Sequence, residues 1–512
     1  MDSLGSIRQG QEIDRRRLLQ VAGGGFGALA LRSLLDREGR LIHQAAASEP
    51  TIAAEPRRQA SEVNSPVVGD RSGNPLRPRA PHIAPRAKAV IFLFMYGGPS
   101  HVDLFDPKPE LVKRHGQPIP VFRDQDAFMV GKTKNAAFGS PYRFQRCGES
   151  GLEVAEVYPE LGKRADQLCV IRSMHCASNN HGPAIFQMNS GFLQAGHPCL
   201  GSWTTYGLGS EADNLPAFVV MLDHQGAPVN GALNWSNGFM PATYQGVPFR
   251  VGTEPVAYLR PPKQVTSDRQ QARLQLLQRW NAEQAAAHEK AGSPAASSLT
   301  ARLASYELAF RMQSGAAECV DLSSETAATR RNYGLDDKTT GHFGRNCLLA
   351  RRLVERGVRF VQIYSGGNEG PRAWDAHDDL KKNHDLHCAE TDRPIAALLD
   401  DLKQRGLLDS TLVVWGGEFG RSPVAENGKG RDHHPHGFTM WLAGAGVRPG
   451  MVLGQTDEFG YHAIEDRVAV PDLHATMLHL LGFDHERLTY EHNGRNYRLT
   501  DVSGRVVREI IS

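Results

Sequence analysis

Short apolar runs recur along the chain, separated by polar stretches that contain glycine and proline. The runs that predict strands are Ala89–Met95, Cys169–Ser173, Leu215–Leu222, Val358–Tyr364, Thr411–Trp415 and Phe438–Ala443. The first of them, AVIFLFM, shows no alternation of apolar and polar residues. A continuous apolar run of this length is typical of a strand buried on both faces of a parallel sheet.

Segments with helical character lie between these runs. In one of them Ile395, Leu398, Leu399 and Leu402 fall on a single helix face, and Pro394 is predicted to occupy its first turn. The other predicted helices cover Tyr158–Gln167, a segment that begins at Ala184, Ser267–Glu289, Ser298–Ser314, Asn346–Arg356 and residues 472–482. Alternating strands and helices predict an α/β fold, with a mostly parallel sheet sandwiched by helices.

The 512 residues divide by composition into three parts. Residues 1–47 form a leader, and residues 48–86, rich in Pro, Arg and Ser, are predicted to be a disordered linker. Residues 87–505 are predicted to be one α/β domain. Within it, residues 224–330 form an insertion of loop and helices to which no chemistry is assigned.

The leader contains Arg15, Arg16 and Arg17 directly before the Gly-rich apolar run Leu18–Leu31. Fourteen residues are too few to cross a bilayer, which takes about 20, so no stable membrane span is predicted. A twin-arginine pair before such a run resembles a Tat export signal. This predicts export to the periplasm or the extracellular space. The alternative is a basic N-terminal helix of a cytoplasmic protein.

Charge and cysteine content exclude several classes of protein. The net charge is only +2, whereas a dedicated nucleic-acid binder carries a basic stripe. The seven cysteines include no CxxC pair, so neither a disulfide scaffold nor a zinc ribbon is indicated. Histidine, with 21 residues, is the unusual count.

Acidic and histidine side chains are concentrated where predicted strands begin or end. Glu418 follows the strand Thr411–Trp415, and the next strand is preceded by Asp432, His433, His434 and His436. Ligands bind at the carboxyl ends of strands in open α/β sheets. Carboxylates and imidazoles without basic partners favour a bound cation. The alternative is a solvated polar loop.

Two further strand ends carry the same residue types. His101, Asp103 and Asp106 follow the first strand, and Asp375 and His377 follow the strand Val358–Tyr364. Both groups are candidate metal ligands. Turn chemistry at Asp106-Pro107 and a helix N-cap at Asp375 are the alternatives.

Several motifs agree in order with a known family. The segments are GGPSHVDLFDPKP, HGPAIFQMNSG, WDAH, GEFGRSP and GRDHHP. From about Ala87 to Gly482 the chain resembles the sulfatase-like family catalogued as domain of unknown function 1501, in the alkaline phosphatase/sulfatase superfamily. The resemblance implies an alkaline phosphatase-like fold with divalent metal at the strand ends.

The resemblance assigns residues only in part. Glu418-Phe419 stands where the superfamily has an Asp-His pair, and Asp375-Ala376-His377 is nearest to its Asp-x-x-x-His element. The superfamily's first metal Asp has no direct counterpart, since Tyr96-Gly97-Gly98 stands there. The predicted metal ligands are therefore His101, Asp103, Asp375, His377, Glu418, Asp432 and His433.

The formylglycine motif C-x-P-S-R of sulfatases is missing. Its place is taken by His181-Gly182-Pro183, while Cys176 lies outside the motif. His181 is therefore predicted as a nucleophile or proton donor, with a helix-capping histidine as the alternative. His434 is a second predicted proton donor. Arg421 and Ser100 are predicted to bind substrate, although Arg421 could equally pair with Glu418.

Mixed nitrogen and oxygen ligands favour Zn²⁺ or Mn²⁺ over Ca²⁺, which prefers oxygen alone. The predicted function is an exported, metal-dependent hydrolase of sulfate or phosphate esters, with an anionic ester such as a sulfated polysaccharide as substrate. One alternative is a non-catalytic exported protein of the same fold that binds sulfated polysaccharide or a surface partner. Another is a phosphomutase or a phosphonate-type enzyme.

Overall fold

The computed structural model describes residues 75–129, 131–250, 256, 264–290, 295–368 and 370–512. The predicted leader lies outside these residues, as does the predicted linker up to residue 74. The last part of that linker is packed onto the domain: Leu76 is buried, and the backbone N–H of Arg79 donates to the carbonyl of Leu208 (2.9 Å). The predicted domain boundaries stay predictions.

Nine strands of the described residues form one sheet. They are β1 (Ala89–Met95), β2 (Cys169–His175), β3 (Phe218–Met221), β4 (Val247–Phe249), β5 (Phe360–Ser365), β6 (Thr411–Gly416), β7 (Phe438–Ala443), β8 (Met451–Leu453) and β9 (Val468–Ala469). Their order is β8-β2-β7-β6-β1-β5-β3-β4, with β9 also beside β2. All neighbours pair in parallel except β7, which runs antiparallel to both β6 and β2.

Helices flank this sheet. They are α1 (His101–Leu104), α2 (Pro109–Lys113), α3 (Pro159–Gly162), α4 (His181–Ser190), α5 (Leu200–Leu208), α6 (Ser267–Lys290), α7 (Ala295–Val320), α8 (Ala327–Asn332), α9 (Gly341–Glu355), α10 (Leu380–Gln404) and α11 (Val470–Leu480). A mostly parallel sheet with helices around it confirms the predicted fold class. In the part of the chain that the structure describes, no helix is both long and apolar enough to cross a membrane.

Two of the helix predictions were wrong in detail. Tyr158–Gln167 is not one helix, because α3 ends at Gly162 and only a 3₁₀ turn over Ala165–Gln167 follows. Pro394 lies in the interior of α10 rather than in its first turn. The start of α10 is fixed by Asp379, whose side chain accepts the backbone N–H of Lys382 (3.0 Å).

Short two-stranded ladders hold the loops beside the sheet. They pair Thr133–Ala137 with Val424–Glu426, Phe144–Cys147 with Leu152–Ala155, Gly420–Arg421 with His433–His434, Gln455–Thr456 with Ala463–Glu465, and Tyr490–His492 with Arg495–Tyr497. The ladder that aligns Arg421 with His433 joins the segment after β6 to the segment before β7. It therefore fixes the loop between these strands against the sheet.

Strand direction decides which residues meet. Strands β1, β5 and β6 run in parallel, so the residues that follow them lie at one edge of the sheet, called here the carboxyl edge. Strand β7 runs the other way, so the residues that precede it lie at the same edge. Glu418, which follows β6, therefore lies at the same edge as the polar residues that precede β7, which are Asp432, His433, His434 and His436.

The insertion and the carboxyl edge are separate features. A cavity of about 500 Å³ lies between β4 and the insertion helices α6 and α7, with Phe218, Leu308 and Met312 among its lining residues. Its lining is largely apolar and includes none of the predicted site residues.

Gly97, two residues beyond β1, sits at the carboxyl edge where two backbone segments touch. Its φ is +111°, and a Cβ added there would lie 2.6 Å from the backbone nitrogen of Asp375 and 2.7 Å from that of Trp374. Both neighbours are backbone atoms and cannot swing away. Only glycine therefore allows this close approach.

We expect Gly97→Ala to destabilise the fold by more than the roughly 1–3 kcal/mol of backbone strain alone, because the new methyl group also collides with the backbone before Asp375. Gly116→Ala is the matched control, since Gly116 has φ +79° and open space around its missing Cβ. Urea unfolding of both variants measures the difference. Equal losses of unfolding free energy would show that the close approach is unimportant.

Candidate metal centre

Four side chains from distant parts of the chain converge at the carboxyl edge. His181 begins α4, Asp375 and His377 lie between β5 and α10, and His433 precedes β7. The Asp375 Oδ1 atom lies 3.0 Å from His377 Nε2, 3.2 Å from His433 Nε2 and 3.3 Å from His181 Nε2. The Nε2 atoms of His377 and His433 are 2.9 Å apart. This group is called the Asp375 centre below.

Each of the three imidazoles is held through its other nitrogen. The Nδ1 partners are Glu418 Oε1 for His181 (2.6 Å), Glu426 Oε2 for His377 (2.5 Å) and the carbonyl of Asn179 for His433 (2.7 Å). All three partners are acceptors, so Nδ1 carries a proton and Nε2 faces the centre. Metal-binding histidines are oriented by second hydrogen bonds of this kind.

The spacing of these atoms fits a small divalent ion. Zinc binds nitrogen and oxygen ligands at about 2.0–2.2 Å, which places neighbouring ligand atoms of a tetrahedron about 3.3 Å apart. The donor atoms of Asp375, His377 and His433 are mutually 2.9–3.2 Å apart. His181 Nε2 is buried and lacks a hydrogen-bond partner. Nitrogen and oxygen donors converging in this way suit Zn²⁺ or Mn²⁺.

Glu418 holds His181 rather than joining the centre. Its carboxylate is fully buried and accepts the backbone N–H of Gly97 (3.0 and 3.3 Å) as well as His181 Nδ1. Glu418 was predicted as a ligand. The structure places it behind the imidazole, where it fixes the ring of the first residue of α4.

Arg421 supplies the positive charge beside the centre. Its guanidinium is fully buried and donates to Asp375 Oδ1 (2.7 Å), to the carbonyls of Gly98 (3.0 Å) and Arg431 (3.2 Å), and to that of Gly97. The predicted alternative, a pair with Glu418, is not the arrangement found. Its donors are committed to backbone carbonyls and to Asp375, and its predicted role in substrate binding stays a prediction.

Several side chains of the Asp375 centre have pKa values that are shifted away from their usual values. Burial opposes ionisation of Asp375, but Arg421 and the three imidazoles outweigh it and hold the pKa of this carboxyl well below its usual range. Burial likewise opposes charge on His377, but Asp375 and Glu426 raise the pKa of His377 to about 9. Burial, followed by the charge of His181, lowers the pKa of His433 well below 6.5.

Four predicted site residues do not reach the Asp375 centre. Asp103 pairs with the fully buried Arg431 (2.7 Å) and accepts the hydroxyl of Ser100 (2.5 Å). The His101 imidazole contacts the carbonyl of Gly460 (2.8 Å), and that of His434 contacts the carbonyl of Tyr461. The charge of Asp103 is already neutralised by a guanidinium, so these residues form a buried polar group of their own.

Asp432 lies next to the Asp375 centre and supports it by holding the backbone of His433. Its carboxylate accepts the backbone N–H groups of His433 (2.7 Å) and Met129 (2.9 Å) and the hydroxyl of Thr133 (2.7 Å). One oxygen of Asp432 also lies within 4.8 Å of donor atoms of His377 and Glu426. The sequence analysis therefore placed Asp432 at the correct edge of the sheet. Its partners there are two backbone N–H groups and the Thr133 hydroxyl.

Glu426 and Asn179 are the functional residues that the sequence analysis missed. Glu426 stood in what reads as a short polar loop, although the Asn427-Gly428 pair after it is a turn signal that could have marked a fixed carboxylate. Asn179 contributes a backbone carbonyl, which no side-chain pattern reveals. Both residues hold imidazoles of the Asp375 centre.

Replacing Arg421 by Met should cost about 3–5 kcal/mol of unfolding free energy, because the change leaves Asp375 buried beside imidazoles without its guanidinium partner. Arg495→Met is the control: Arg495 pairs with Asp501 on the surface, with 54% of its side chain exposed, and should cost at most about 1 kcal/mol. Urea denaturation gives both values. Similar losses would contradict a central role for the Arg421–Asp375 pair.

The chain was compared with known proteins. Solved structures with a similar arrangement include the lipoteichoic acid synthase LtaP from Listeria monocytogenes, at 10% identity and TM-score 0.35 over 78% of this chain and 73% of that one. A sulfatase from Pseudoalteromonas sp. matches at 12% identity and TM-score 0.32, over 78% of this chain and 69% of its own. A protein in the alkaline phosphatase superfamily from Vibrio parahaemolyticus matches at 10% identity and TM-score 0.31, over 82% and 72%.

Such low TM-scores and identities say nothing about the activity of this chain. No curated protein matches it. A family model described as "Protein of unknown function (DUF1501)" matches residues 87–511. The match covers most of the chain and all of the predicted α/β domain, which confirms the resemblance drawn from the motifs. The chain belongs to the DUF1501 family.

Proposed function

We propose that this protein is a metal-dependent hydrolase of sulfate or phosphate esters, with a divalent cation held by Asp375, His377 and His433. One observation carries the proposal. The three donor atoms lie 2.9–3.2 Å from one another, and both imidazoles are already turned toward the shared point by their Nδ1 hydrogen bonds.

A site with three protein ligands keeps a position for a reacting group, as catalytic zinc sites do. A divalent ion held there supplies Lewis acidity to an ester oxygen or to water. Two imidazoles and one carboxylate favour Zn²⁺ or Mn²⁺ over Ca²⁺. Side chains of Asp375 and His377 keep 9% and 20% of their surface exposed, which gives an ester a way in from solvent.

His181 completes the proposed site as the proton donor to the leaving alcohol. Burial disfavours its charged form, but Asp375 and Glu418 outweigh this and raise the pKa of His181. In the protonated ring, Nε2 can donate a proton while Nδ1 donates to Glu418. The ring then presents an acidic N–H beside the cation ligands, which is the arrangement that general acid catalysis requires.

Anion recognition in this proposal rests on the cation and His181. Arg421 is committed to Asp375 and to backbone carbonyls, and Ser100 is turned toward Asp103. A site with no free guanidinium holds the ester mainly through its reacting group. We therefore propose that the rest of the substrate, a sulfated polysaccharide or a smaller ester, is bound elsewhere on the surface.

We also propose that the protein is exported. The Arg15-Arg16 pair before the Gly-rich apolar run Leu18–Leu31 supports this. Export by the twin-arginine route carries folded chains, which would suit a protein whose metal site is assembled from distant segments.

Asp375→Asn and His433→Ala should each lower the bound metal by at least ten-fold, because each removes one of three ligands. His436→Ala is the control, since His436 also precedes β7 but lies outside the Asp375 centre, with 38% of its side chain exposed. Elemental analysis of purified protein supplied with Zn²⁺ or Mn²⁺ measures the metal. Equal metal content in all four proteins would exclude this ligand set.

His181→Gln should lower turnover of an aryl sulfate or aryl phosphate about 10²–10⁴-fold, the range expected for loss of general acid catalysis, while the metal stays bound. The loss should be smallest for esters with the most acidic leaving phenols, because those need no proton donor. A wild-type protein that holds metal, turns over neither ester and retains sulfated polysaccharide would establish the non-catalytic alternative instead.

Arg15→Lys/Arg16→Lys should leave the protein inside the cell, because the change keeps the charge but removes the arginine pair that the export machinery reads. Cell fractionation followed by immunoblotting compares this variant with wild type. An Arg8→Lys variant, seven residues upstream of Arg15, is the control. Export of the double variant at the wild-type level would exclude the twin-arginine route.

A further inference from the structure

His377 has carboxylates on the side away from the Asp375 centre. Glu426 and Asp432 are both fully buried, and one oxygen of each lies within 4.8 Å of the other and of a His377 nitrogen. Both belong to segments of the loop between β6 and β7. Two buried carboxylates at this distance repel each other unless a positive charge lies between them.

The two Glu426 oxygens have different surroundings. Oε2 accepts the Nδ1 proton of His377 (2.5 Å), whereas Oε1 is buried without any hydrogen-bond partner. A buried anionic oxygen without a partner carries its full desolvation penalty. Glu426 is thus a well-held carboxylate with one unused ligand atom.

No neighbouring basic side chain neutralises this pair. Arg421 is bound to Asp375 and Arg431 to Asp103. Among the residues that the structure describes, no lysine or arginine lies within salt-bridge distance of Glu426 or Asp432. The His377 ring is the remaining positive partner. It donates a hydrogen bond to Glu426 Oε2 and none to Oε1.

The backbone fixes Glu426 in place. Glu426 and Gly430 exchange two hydrogen bonds (2.9 Å each) across a tight turn, in which Asn427 and Gly428 have φ of +50° and +80°. Gly430 in turn lies so close to His377 that an added Cβ would sit 1.7 Å from the His377 carbonyl oxygen. The Glu426 side chain is therefore positioned before any ion arrives.

We propose that Glu426 and Asp432 form a second cation site, for an oxygen-preferring divalent ion such as Ca²⁺ or Mg²⁺. The ligand atoms are Glu426 Oε1 and a carboxylate oxygen of Asp432, and water completes the shell, as is usual for these ions. This site is distinct from the Asp375 centre and goes beyond the proposed function. The two are linked through His377, which donates its Nδ1 proton to Glu426 Oε2, and through His433, whose backbone N–H donates to Asp432.

Glu426→Gln tests the site cleanly. The glutamine amide oxygen can still accept the His377 Nδ1 proton, so the imidazole keeps its orientation, but the anionic ligand atom is gone. Titration of Ca²⁺ into the full-length protein, followed by calorimetry, should show one site in wild type and at least ten-fold weaker binding in the variant. Zinc content, measured on the same samples, reports separately on the Asp375 centre, whose His377 is held by Glu426.

Asp378→Asn is the matched control, because Asp378 is an exposed carboxylate next to His377 that takes no part in the site. It should bind Ca²⁺ as wild type does. Asp432→Asn is the second test variant, for use if Glu426→Gln is poorly folded by circular dichroism. It removes the other ligand and should weaken Ca²⁺ binding by the same order.

Equal Ca²⁺ affinity in wild type and Glu426→Gln would overturn the second site, as would absence of both Ca²⁺ and Mg²⁺ binding in wild type. Neither result would affect zinc bound at the Asp375 centre. Conversely, wild-type protein that binds Ca²⁺ through Glu426 but no zinc would refute the proposed catalytic centre and leave the second site intact.

Discussion

A single carboxylate oxygen organises the carboxyl edge of this sheet. Asp375 Oδ1 lies within 3.3 Å of one guanidinium and of three imidazole nitrogens. The surrounding groups are cationic or can become so, and all are largely buried. Without this negative charge they would repel one another in a medium that screens poorly. The edge is therefore stable as a neutralised group around Asp375, and a cation that enters must share the same oxygen.

The backbone around Asp375 is held by contacts that the side chains alone would not explain. Arg421 donates to carbonyls of Gly97 and Gly98, so the segment after β1 is tied to the segment after β6. Glu418 accepts the N–H of Gly97 from the other side. Each acidic or basic group thus has two tasks, since it contacts a side chain of the Asp375 centre and also anchors a loop. Rigid supports of this kind are what a precise metal site requires.

The main elements of the fold can be predicted from the sequence, because strands buried on both faces appear there as continuous, mainly apolar runs. Strands β1, β5, β6 and β7 are apolar runs of six or seven residues, and turn residues mark their ends. Pro394 misled the prediction of α10, because the helix begins well before the proline, at the Asp379 cap. Local propensity does not reveal that earlier start.

The site was predicted less completely, for a physical reason. Asp375, His377 and His433 were found because their residue types cluster at strand ends. His101 and Asp103 have the same types at another strand end, but Arg431, more than 300 positions away in the chain, neutralises Asp103. Which acid joins the three imidazoles and which is paired away from them depends on tertiary contacts. The support from Asn179 is a backbone atom and has no signature in the sequence at all.

The contacts around the Asp375 centre join distant parts of the chain, and this has a consequence for how the centre forms during folding. Its groups are far apart along the polypeptide: 321 positions separate Gly97 from Glu418, and 237 separate His181 from Glu418. Closing loops of that size costs conformational entropy before any contact compensates for it. A shorter piece of the chain that ends before His433 would lack one of the three imidazoles of the centre. Ion binding at the Asp375 centre would then report on the completed sheet and favour the assembled state over every partly folded one.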